Sequence, residues 1–256
     1  MLTRAIVRPP AASFAQGITS ARLGEPDLLL ARAQHARYCA ALEQCGLELT
    51  RLPADARHPD STFVEDTAIL TESAAILTNP GASSRTGEVA GIAAVLPQFY
   101  SRIHRISAPG TVDGGDVCQA DRHFFIGISA RTNAEGAAEL AGFLAREGFT
   151  AATVDIRGVP GILHLKSGIS YLGDGRLVVI DALADHAAFR GHEIVRITAQ
   201  ESYAANFLRI NDQVVLSSGY DEFEARVRDF GYPVITLNMS EFRKMDGALS
   251  CLSLRF

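Results

Sequence analysis

Val117-Cys118-Gln119-Ala120-Asp121-Arg122-His123-Phe124-Phe125-Ile126, followed by an apolar series at Ala137, Leu140, Ala141 and Leu144, is the stretch from which the fold is read. Its first part sets two apolar runs on either side of the short polar turn Ala120-Asp121-Arg122, the pattern of a β-hairpin. Its second part repeats at i, i+3, i+4 and i+7, which is one face of a helix. Thr132-Asn133 supplies a cap for that helix and Gly148 a stop. A hairpin followed by a helix is therefore the local unit.

The unit recurs along the chain. Polar turns at Thr71-Glu72-Ser73, Ala120-Asp121-Arg122, Gly173-Asp174-Gly175 and Asn211-Asp212 each separate two apolar runs, and their positions at 72, 121, 174 and 212 lie 49, 53 and 38 residues apart. Spacing of this order marks a repeat architecture. Val89, Ile92, Ala93 and Leu96 give the first unit a helix with the same periodicity. Phe223, Val227 and Phe230 give the fourth a shorter one, ended by Gly231 and followed by the strand-like Pro233-Val234-Ile235-Thr236-Leu237. The third unit closes on Glu193-Ile194-Val195-Arg196-Ile197 after a weak helical segment around Ala182 to Phe189.

A fifth unit forms if the two ends of the chain meet. Ala248 to Phe256 reads as an entering strand with Ala5 to Arg8 as its neighbour; a helix from Asp27 to Gln44 follows, ended by Gly46, with Leu29, Ala33, Ala36, Cys39 and Ala40 as its apolar positions. Joining the ends leaves no free sheet edge, which is a physical reason for closure. The expected fold is α/β: a ring of about five such units, strands inside and helices outside.

Unusual polar residues collect just before each hairpin. Asp60, Glu65 and Asp66 open the first unit, Asp113 and Asp116 the second, His164 the third, Asn206 the fourth and Cys251 the fifth. Equivalent positions in a closed ring face one axis, so residues far apart in sequence would converge. A cysteine attacks as its thiolate, a histidine holds and returns the proton, and a carboxylate orients the imidazole. Cys251, His164 and Asp113 are the candidates for these roles.

The surplus of acid in Phe63-Val64-Glu65-Asp66 speaks to the substrate. Carboxylates raise the pKa of a nearby thiol and disarm it, and a cationic substrate reverses that penalty. An acidic cysteine site therefore suits a guanidinium better than a neutral amide. Strand alternation would send Glu65 and Asp66 to opposite faces, so a turn or bulge is expected there. Arg85 and Arg131 are candidates for pairing with a carboxylate on the same substrate.

The 256 residues carry a formal charge of -5, from 29 Asp and Glu against 24 Lys and Arg, with no block of basic residues. That argues against nucleic acid or anionic membrane as partner. No run of about 18 apolar residues reads as a membrane span, and none of the N-terminal sequence reads as a leader. Four irregularly spaced cysteines, Cys39, Cys45, Cys118 and Cys251, are too few for a disulfide scaffold in a chain of this size and fit a cytoplasmic protein. Their spacing matches no compact zinc-ligand pattern.

The stretches Pro59-Asp60-Ser61-Thr62-Phe63-Val64-Glu65-Asp66, Val112-Asp113-Gly114-Gly115-Asp116-Val117, Ser129-Ala130-Arg131-Thr132-Asn133, Leu163-His164-Leu165-Lys166-Ser167-Gly168, Glu201-Ser202-Tyr203-Ala204-Ala205-Asn206 and Lys244-Met245-Asp246-Gly247-Ala248-Leu249-Ser250-Cys251 carry a family resemblance. Through them the sequence resembles the dimethylarginine dimethylaminohydrolase family over essentially its whole length. The resemblance implies a five-bladed pseudosymmetric α/β propeller of ββαβ-type repeats closed through the termini, as one domain spanning residues 1–256. It implies hydrolysis of dimethylated and monomethylated arginine to citrulline through a covalent cysteine intermediate, with no metal or organic cofactor.

By matching position, Cys251 is the implied nucleophile, His164 the acid-base and Asp113 its orienting carboxylate. Glu65, Asp66 and Asp60 are the implied guanidinium pocket, with Phe63 stacking over the substrate. Arg85 and Arg131 are the implied carboxylate clamps, and Ile18 matches a residue of a substrate-covering lid. A homodimer is the implied assembly. Related arginine deiminases carry His-x-Asp where this chain has His164-Leu165-Lys166, which favours a methylated substrate over arginine. A non-catalytic binder of arginine-like cations is the alternative of a different class.

Overall fold

Hairpins and closing strands alternate along the whole chain in the computed structural model, which describes all 256 residues. In chain order the elements are β1 (Arg4–Val7), α1 (Leu28–Gln44) and β2 (Glu48–Arg51); β3 (Ala68–Leu70), β4 (Ala75–Leu77), α2 (Val89–Ala93) and β5 (Ile103–Arg105); and β6 (Val117–Ala120), β7 (His123–Ile128), α3 (Ala134–Arg146) and β8 (Thr150–Asp155). They continue as β9 (Ile169–Gly173), β10 (Arg176–Ile180) and β11 (Glu193–Ile197); β12 (Leu208–Ile210), β13 (Gln213–Ser217), α4 (Asp221–Asp229) and β14 (Val234–Leu237); and finally α5 (Ser240–Arg243) and β15 (Ser253–Arg255).

The strands form five three-stranded sheets of identical plan, β3-β4-β5, β6-β7-β8, β9-β10-β11, β12-β13-β14 and β15-β1-β2. In each, the first strand is antiparallel to the middle one and the third is parallel to it. The parallel pair needs a crossover, which is where the helices sit. The last sheet is built from both ends of the chain: Ala5 pairs with Arg255, Ile6 with Leu254 and Val7 with Ser253. The closure through the termini expected from the sequence is thus present at the level of hydrogen-bonded strands.

Turn chemistry explains why the hairpins form where they do. Asp121, Asp174 and Asn211 occupy equivalent turns with φ of 51°, 51° and 53°. Asp and Asn are the non-glycine residues that tolerate this left-handed conformation best.

The chain divides into two compact units, residues 1–64 with 206–256, and residues 65–205. The first holds the β12-β13-β14 and β15-β1-β2 sheets, the second the other three. A core cluster of the second unit joins Ile69, Ile76, Val117, Phe124 and Ile126 of the strands to Ala137, Leu140 and Leu144 of α3. Asn133 caps α3 by accepting from the Gly136 amide at 2.8 Å, and Gly148 takes up the left-handed turn after it at φ 80°. Each fully buried leucine on this face contributes about 2 kcal/mol.

Helix α1 corrects the sequence reading. Its boundaries are as expected, but Leu29, Ala33, Ala36 and Ala40 are exposed, and the buried face carries Ala31, Gln34, His35, Tyr38, Cys39, Ala41 and Leu42. Gln34 and Tyr38 on that face are buried with hydrogen-bond partners, whereas His35 contacts sulfur. Gln34 donates to Ser240 Oγ at 2.8 Å and accepts from the Glu241 amide at 3.1 Å, His35 Nδ1 lies 3.6 Å from Cys39 Sγ, and Tyr38 Oη lies 2.5 Å from Ser253 Oγ. Burial pushes the His35 imidazole down to about 4, so it sits there neutral. A hydrophobicity count cannot see residues whose burial is carried by hydrogen bonds.

Other departures are local. The helix expected around Ala182 to Phe189 reduces to a single 3-10 turn at Ala187–Phe189. The strand expected from Ala248 begins at Ser253, because Ser250–Leu252 is a 3-10 turn.

Candidate active site

The polar residues that open each module sit in or beside one kind of structure. A 3-10 turn precedes the first strand of all five sheets: Val64–Thr67, Gly114–Asp116, Leu165–Ser167, Ala199–Ala205 and Ser250–Leu252. Glu65 and Asp66 lie inside the first of these turns, and Cys251 inside the last. Asp113 and His164 are the residues immediately before theirs. The strand alternation that set Glu65 against Asp66 therefore does not apply, since both belong to the turn.

Within residues 65–205, His164 is the centre of a buried carboxylate cluster. Its Nε2 lies 3.1 Å from Asp113 Oδ2, and the other Asp113 oxygen accepts from the Gly81 amide at 2.9 Å. The Asp113 amide in turn donates to Thr132 Oγ1 at 3.1 Å. Gly115 lies so close to the imidazole that a Cβ there would fall 2.8 Å from its Cγ and Nδ1. The Gly114-Gly115 pair is thus a space requirement of the histidine and of the Glu65 carbonyl, from which a Cβ on Gly114 would be 2.0 Å.

Asp116 holds the loop that carries His164. Its Oδ2 accepts from Ser129 Oγ at 2.6 Å and Thr132 Oγ1 at 2.7 Å, and its Oδ1 accepts from the Leu165 amide at 2.9 Å. Burial pushes the Asp116 carboxyl up, against these bonds and the nearby imidazole. For His164, burial favours the neutral ring, but Asp66, Asp116 and Asp113 together outweigh it and raise the imidazole to about 9. His164 is consequently protonated at neutral pH in this arrangement.

Three ion pairs complete the cluster. Asp66 accepts from the Gly115 amide at 2.8 Å and from Arg85 Nη1, while Arg85 Nε and Nη2 bind Glu88 at 3.1 and 2.7 Å. Burial opposes ionisation of Asp66, yet Arg85 and His164 prevail and hold it down at about 2. Glu65, also buried, pairs with Lys166 Nζ at 2.7 Å. Arg131 is half-buried, and its backbone packs on Gly81, where a Cβ would be 2.2 Å from its carbonyl oxygen.

One oxygen or nitrogen each of Asp66, Asp113 and His164 lie within 4.8 Å of one another, so these are the residues that could hold a metal ion. Arg85, the Gly115 and Gly81 amides and the Asp113–His164 bond already satisfy the same groups. The cluster is charge-compensated and hydrogen-bonded by the protein itself.

The remaining candidates belong to residues 1–64 and 206–256. Cys251 is half-buried, and its amide bonds the Ala248 carbonyl at 3.3 Å. Asn206 grips the adjacent Ser250 twice, donating to its Oγ and accepting from its amide, both at 2.9 Å. Asp60 is buried and accepts from the Ile18 amide with both oxygens, at 3.1 and 3.2 Å. Ile18 itself is 42% exposed.

Phe63 is enclosed: its ring centroid lies 6.0 Å from Phe14 and 6.3 Å from Phe242, and a Cβ on Gly247 would be 2.2 Å from its edge. This packing fixes the ring beside the Asp60 segment.

Sequence reading did not find Glu88, Lys166 as a partner of Glu65, or the Ser129-Thr132 pair under Asp116. Only Glu88 left a usable signal, its i+3 spacing from Arg85. The other thiols are unlike a reactive one, since burial pushes Cys39 and Cys118 up to about 11 and also raises Cys45.

No protein-family model matches the chain. It is 42% identical, over 100% of both chains, to N(G),N(G)-dimethylarginine dimethylaminohydrolase of Pseudomonas aeruginosa. Among solved structures it resembles, with 42% identity, full coverage of both chains and a TM-score of 0.96, a Pseudomonas aeruginosa dimethylarginine dimethylaminohydrolase, a cysteine-to-serine mutant complexed with citrulline. The same figures hold for a histidine-to-glycine dimethylarginine dimethylaminohydrolase adduct with S-methyl-L-thiocitrulline. The chain therefore shares their fold, the five-bladed α/β fold expected from the sequence.

Proposed function

The chain belongs to the dimethylarginine dimethylaminohydrolase family, and on that premise we propose that Cys251, His164 and Asp113 carry out the family's reaction in it. The protein is a hydrolase that converts methylated arginine to citrulline. The observation that carries the residue assignment is the buried His164–Asp113 pair among carboxylates that keep the imidazole charged.

The Cys251 sulfur attacks the guanidinium carbon as thiolate. Protonated His164 gives its proton to the dimethylamino nitrogen of the tetrahedral adduct, and dimethylamine leaves. The products of this half are neutral His164 and an amidino-thioether on Cys251. His164 then takes one proton from water as the oxygen attacks the same carbon, and collapse expels the thiolate and releases citrulline, the remaining hydroxyl proton passing to solvent. Asp113 keeps Nε2 protonated and leaves Nδ1 to exchange the proton. With Asp60, Glu65, Asp66 and Asp113 assigned to the pocket, the cationic substrate helps to ionise Cys251 when it binds, the thiol proton passing to solvent because His164 already carries its own, so no resting thiolate is required.

Glu65, Asp66 and Asp60 are the proposed guanidinium acceptors, with Phe63 the proposed residue that stacks over the substrate. Arg131 and Arg85 are the proposed clamps for the amino-acid carboxylate, Arg85 already oriented by Asp66 and Glu88. Ile18 is the proposed covering residue. Because the roles draw on both compact units, residues 1–256 are proposed to act as one domain. No helix is long and apolar enough to cross a membrane. Four cysteines without a disulfide fit the proposed cytoplasmic location, and a homodimer is the proposed assembly.

A citrulline assay with asymmetric dimethylarginine, monomethylarginine and arginine side by side tests the reading. The expected outcome is turnover of the methylated pair with little of arginine. Equal turnover of arginine would make the protein a deiminase, and binding of all three without citrulline would make it a silent binder.

A further inference from the structure

Gly17-Ile18-Thr19-Ser20 forms no helix or strand, and Ile18, Thr19 and Ser20 are all exposed. A segment that buries so little apolar surface is placed by its polar bonds. On one side these are the two bonds from the Ile18 amide to Asp60. On the other, Thr19 Oγ1 donates to the Lys244 carbonyl at 2.8 Å, and Asp246 Oδ2 accepts from the Ser20 amide at 2.5 Å and Ser20 Oγ at 3.0 Å, with Thr19 Oγ1 3.4 Å away. One carboxylate oxygen thus accepts two bonds from Ser20, 226 residues away in sequence, with the Thr19 hydroxyl beside them.

Asp246 is itself held in place. Its φ of 56° lies in the left-handed region, its amide bonds the Arg243 carbonyl at 3.2 Å, and the next residue, Gly247, lies against the Phe63 ring. The anchor therefore stands on the segment that leads into the Cys251 turn and on the aromatic cluster beneath Asp60.

We propose that Asp246 is a positioning residue that pins the Gly17-Ser20 loop where Ile18 meets Asp60, and so sets the apparent affinity for methylarginine without touching the reacting atoms. The proposal rests on the substrate-binding roles given above to Ile18 and Asp60. With the pin in place the loop is preorganised for substrate. Without it, part of the binding energy goes into ordering the loop, and apparent affinity falls with the fraction of molecules in which it is placed.

Two substitutions separate the pin from the backbone. Asp246→Gly keeps the left-handed conformation without strain and removes the acceptor for both Ser20 donors. Asp246→Asn tolerates the same conformation and keeps one acceptor oxygen. For Asp246→Gly the expected result is a rise of about tenfold in KM with kcat within about twofold, as a tenfold drop in the competent fraction requires. Asp246→Asn is expected to recover most of that loss.

Hydrogen exchange at the Ile18 and Ser20 amides reads the same event without turnover and is expected to quicken in Asp246→Gly. Unchanged exchange there would overturn the proposal whatever the activity. So would a fall in kcat that matches a general loss of stability and is not recovered by Asn. Failure of the wild-type protein to release citrulline would overturn the assigned activity instead, and the exchange measurement would still decide the pin.

Discussion

Cys251→Ser is expected to lower citrulline release from asymmetric dimethylarginine by at least about ten-thousandfold, the scale on which loss of a nucleophile falls. The reason is electronic. A serine hydroxyl ionises far less readily than a thiol, and the proposed pocket is acidic, so nothing in it stabilises an alkoxide. Stability should hardly change, because Cys251 is half-buried and the turn around it is fixed by the Asn206–Ser250 bonds, which the substitution leaves alone. Steady-state citrulline assays and a thermal melt check both halves: activity lost, melting temperature within about 2 °C of wild type. Serine variants of Cys39, Cys45 and Cys118 provide the contrast, since their thiols are buried and raised away from reactivity.

Asp113→Asn is the second large effect, a loss of about a thousandfold in kcat with the fold retained. The asparagine oxygen can still accept from the Gly81 amide, but its NH2 then faces His164 Nε2, where the carboxylate now stands. That geometry favours the wrong tautomer and removes one of the three carboxylates that hold the imidazolium. The pH limb on which protonated His164 is lost should therefore move to lower pH.

Stability carries the same signature. A histidine raised from about 6.5 to about 9 on folding adds stability that is fully present below the lower value and is lost as pH rises through the upper one. Across that window the wild-type melting temperature should fall more than that of Asp113→Asn. Parallel declines in the two proteins would mean that Asp113 does not hold the charge on His164.

Much of this was legible in the sequence, for identifiable reasons. The repeat was visible because its turns need special residues: Asp121, Asp174 and Asn211 announce left-handed positions in successive hairpins. Helix α3 was visible because its buried face is purely apolar. The closing strands β2, β5 and β8 were not, because Glu48–Arg51, Ile103–Arg105 and Thr150–Asp155 are short and mostly polar or half-buried. Helix α1 was read with the wrong face inward because Gln34 and Tyr38 are buried with hydrogen-bond partners and His35 as a neutral ring.

For the site, residue types and module positions pointed to Cys251, His164 and the acids, but pairings between modules leave no trace in spacing. Lys166 on Glu65, Arg85 between Asp66 and Glu88, and Asp116 beneath Leu165 are properties of three-dimensional charge compensation. A buried carboxylate cluster demands such partners, yet the sequence does not say which cations answer.

The central claim is that the reaction passes through a covalent intermediate on Cys251, resolved by His164. Its most direct test is the mass of the Cys251 peptide after reaction of a His164→Gly variant with S-methyl-L-thiocitrulline. Methanethiolate leaves with little need of a proton, whereas attack of water on the adduct still needs a base. The account predicts a stable mass increment on the peptide containing Cys251 and on no other cysteine peptide. An unmodified Cys251 peptide under these conditions, or the increment on Cys39, Cys45 or Cys118, would contradict it.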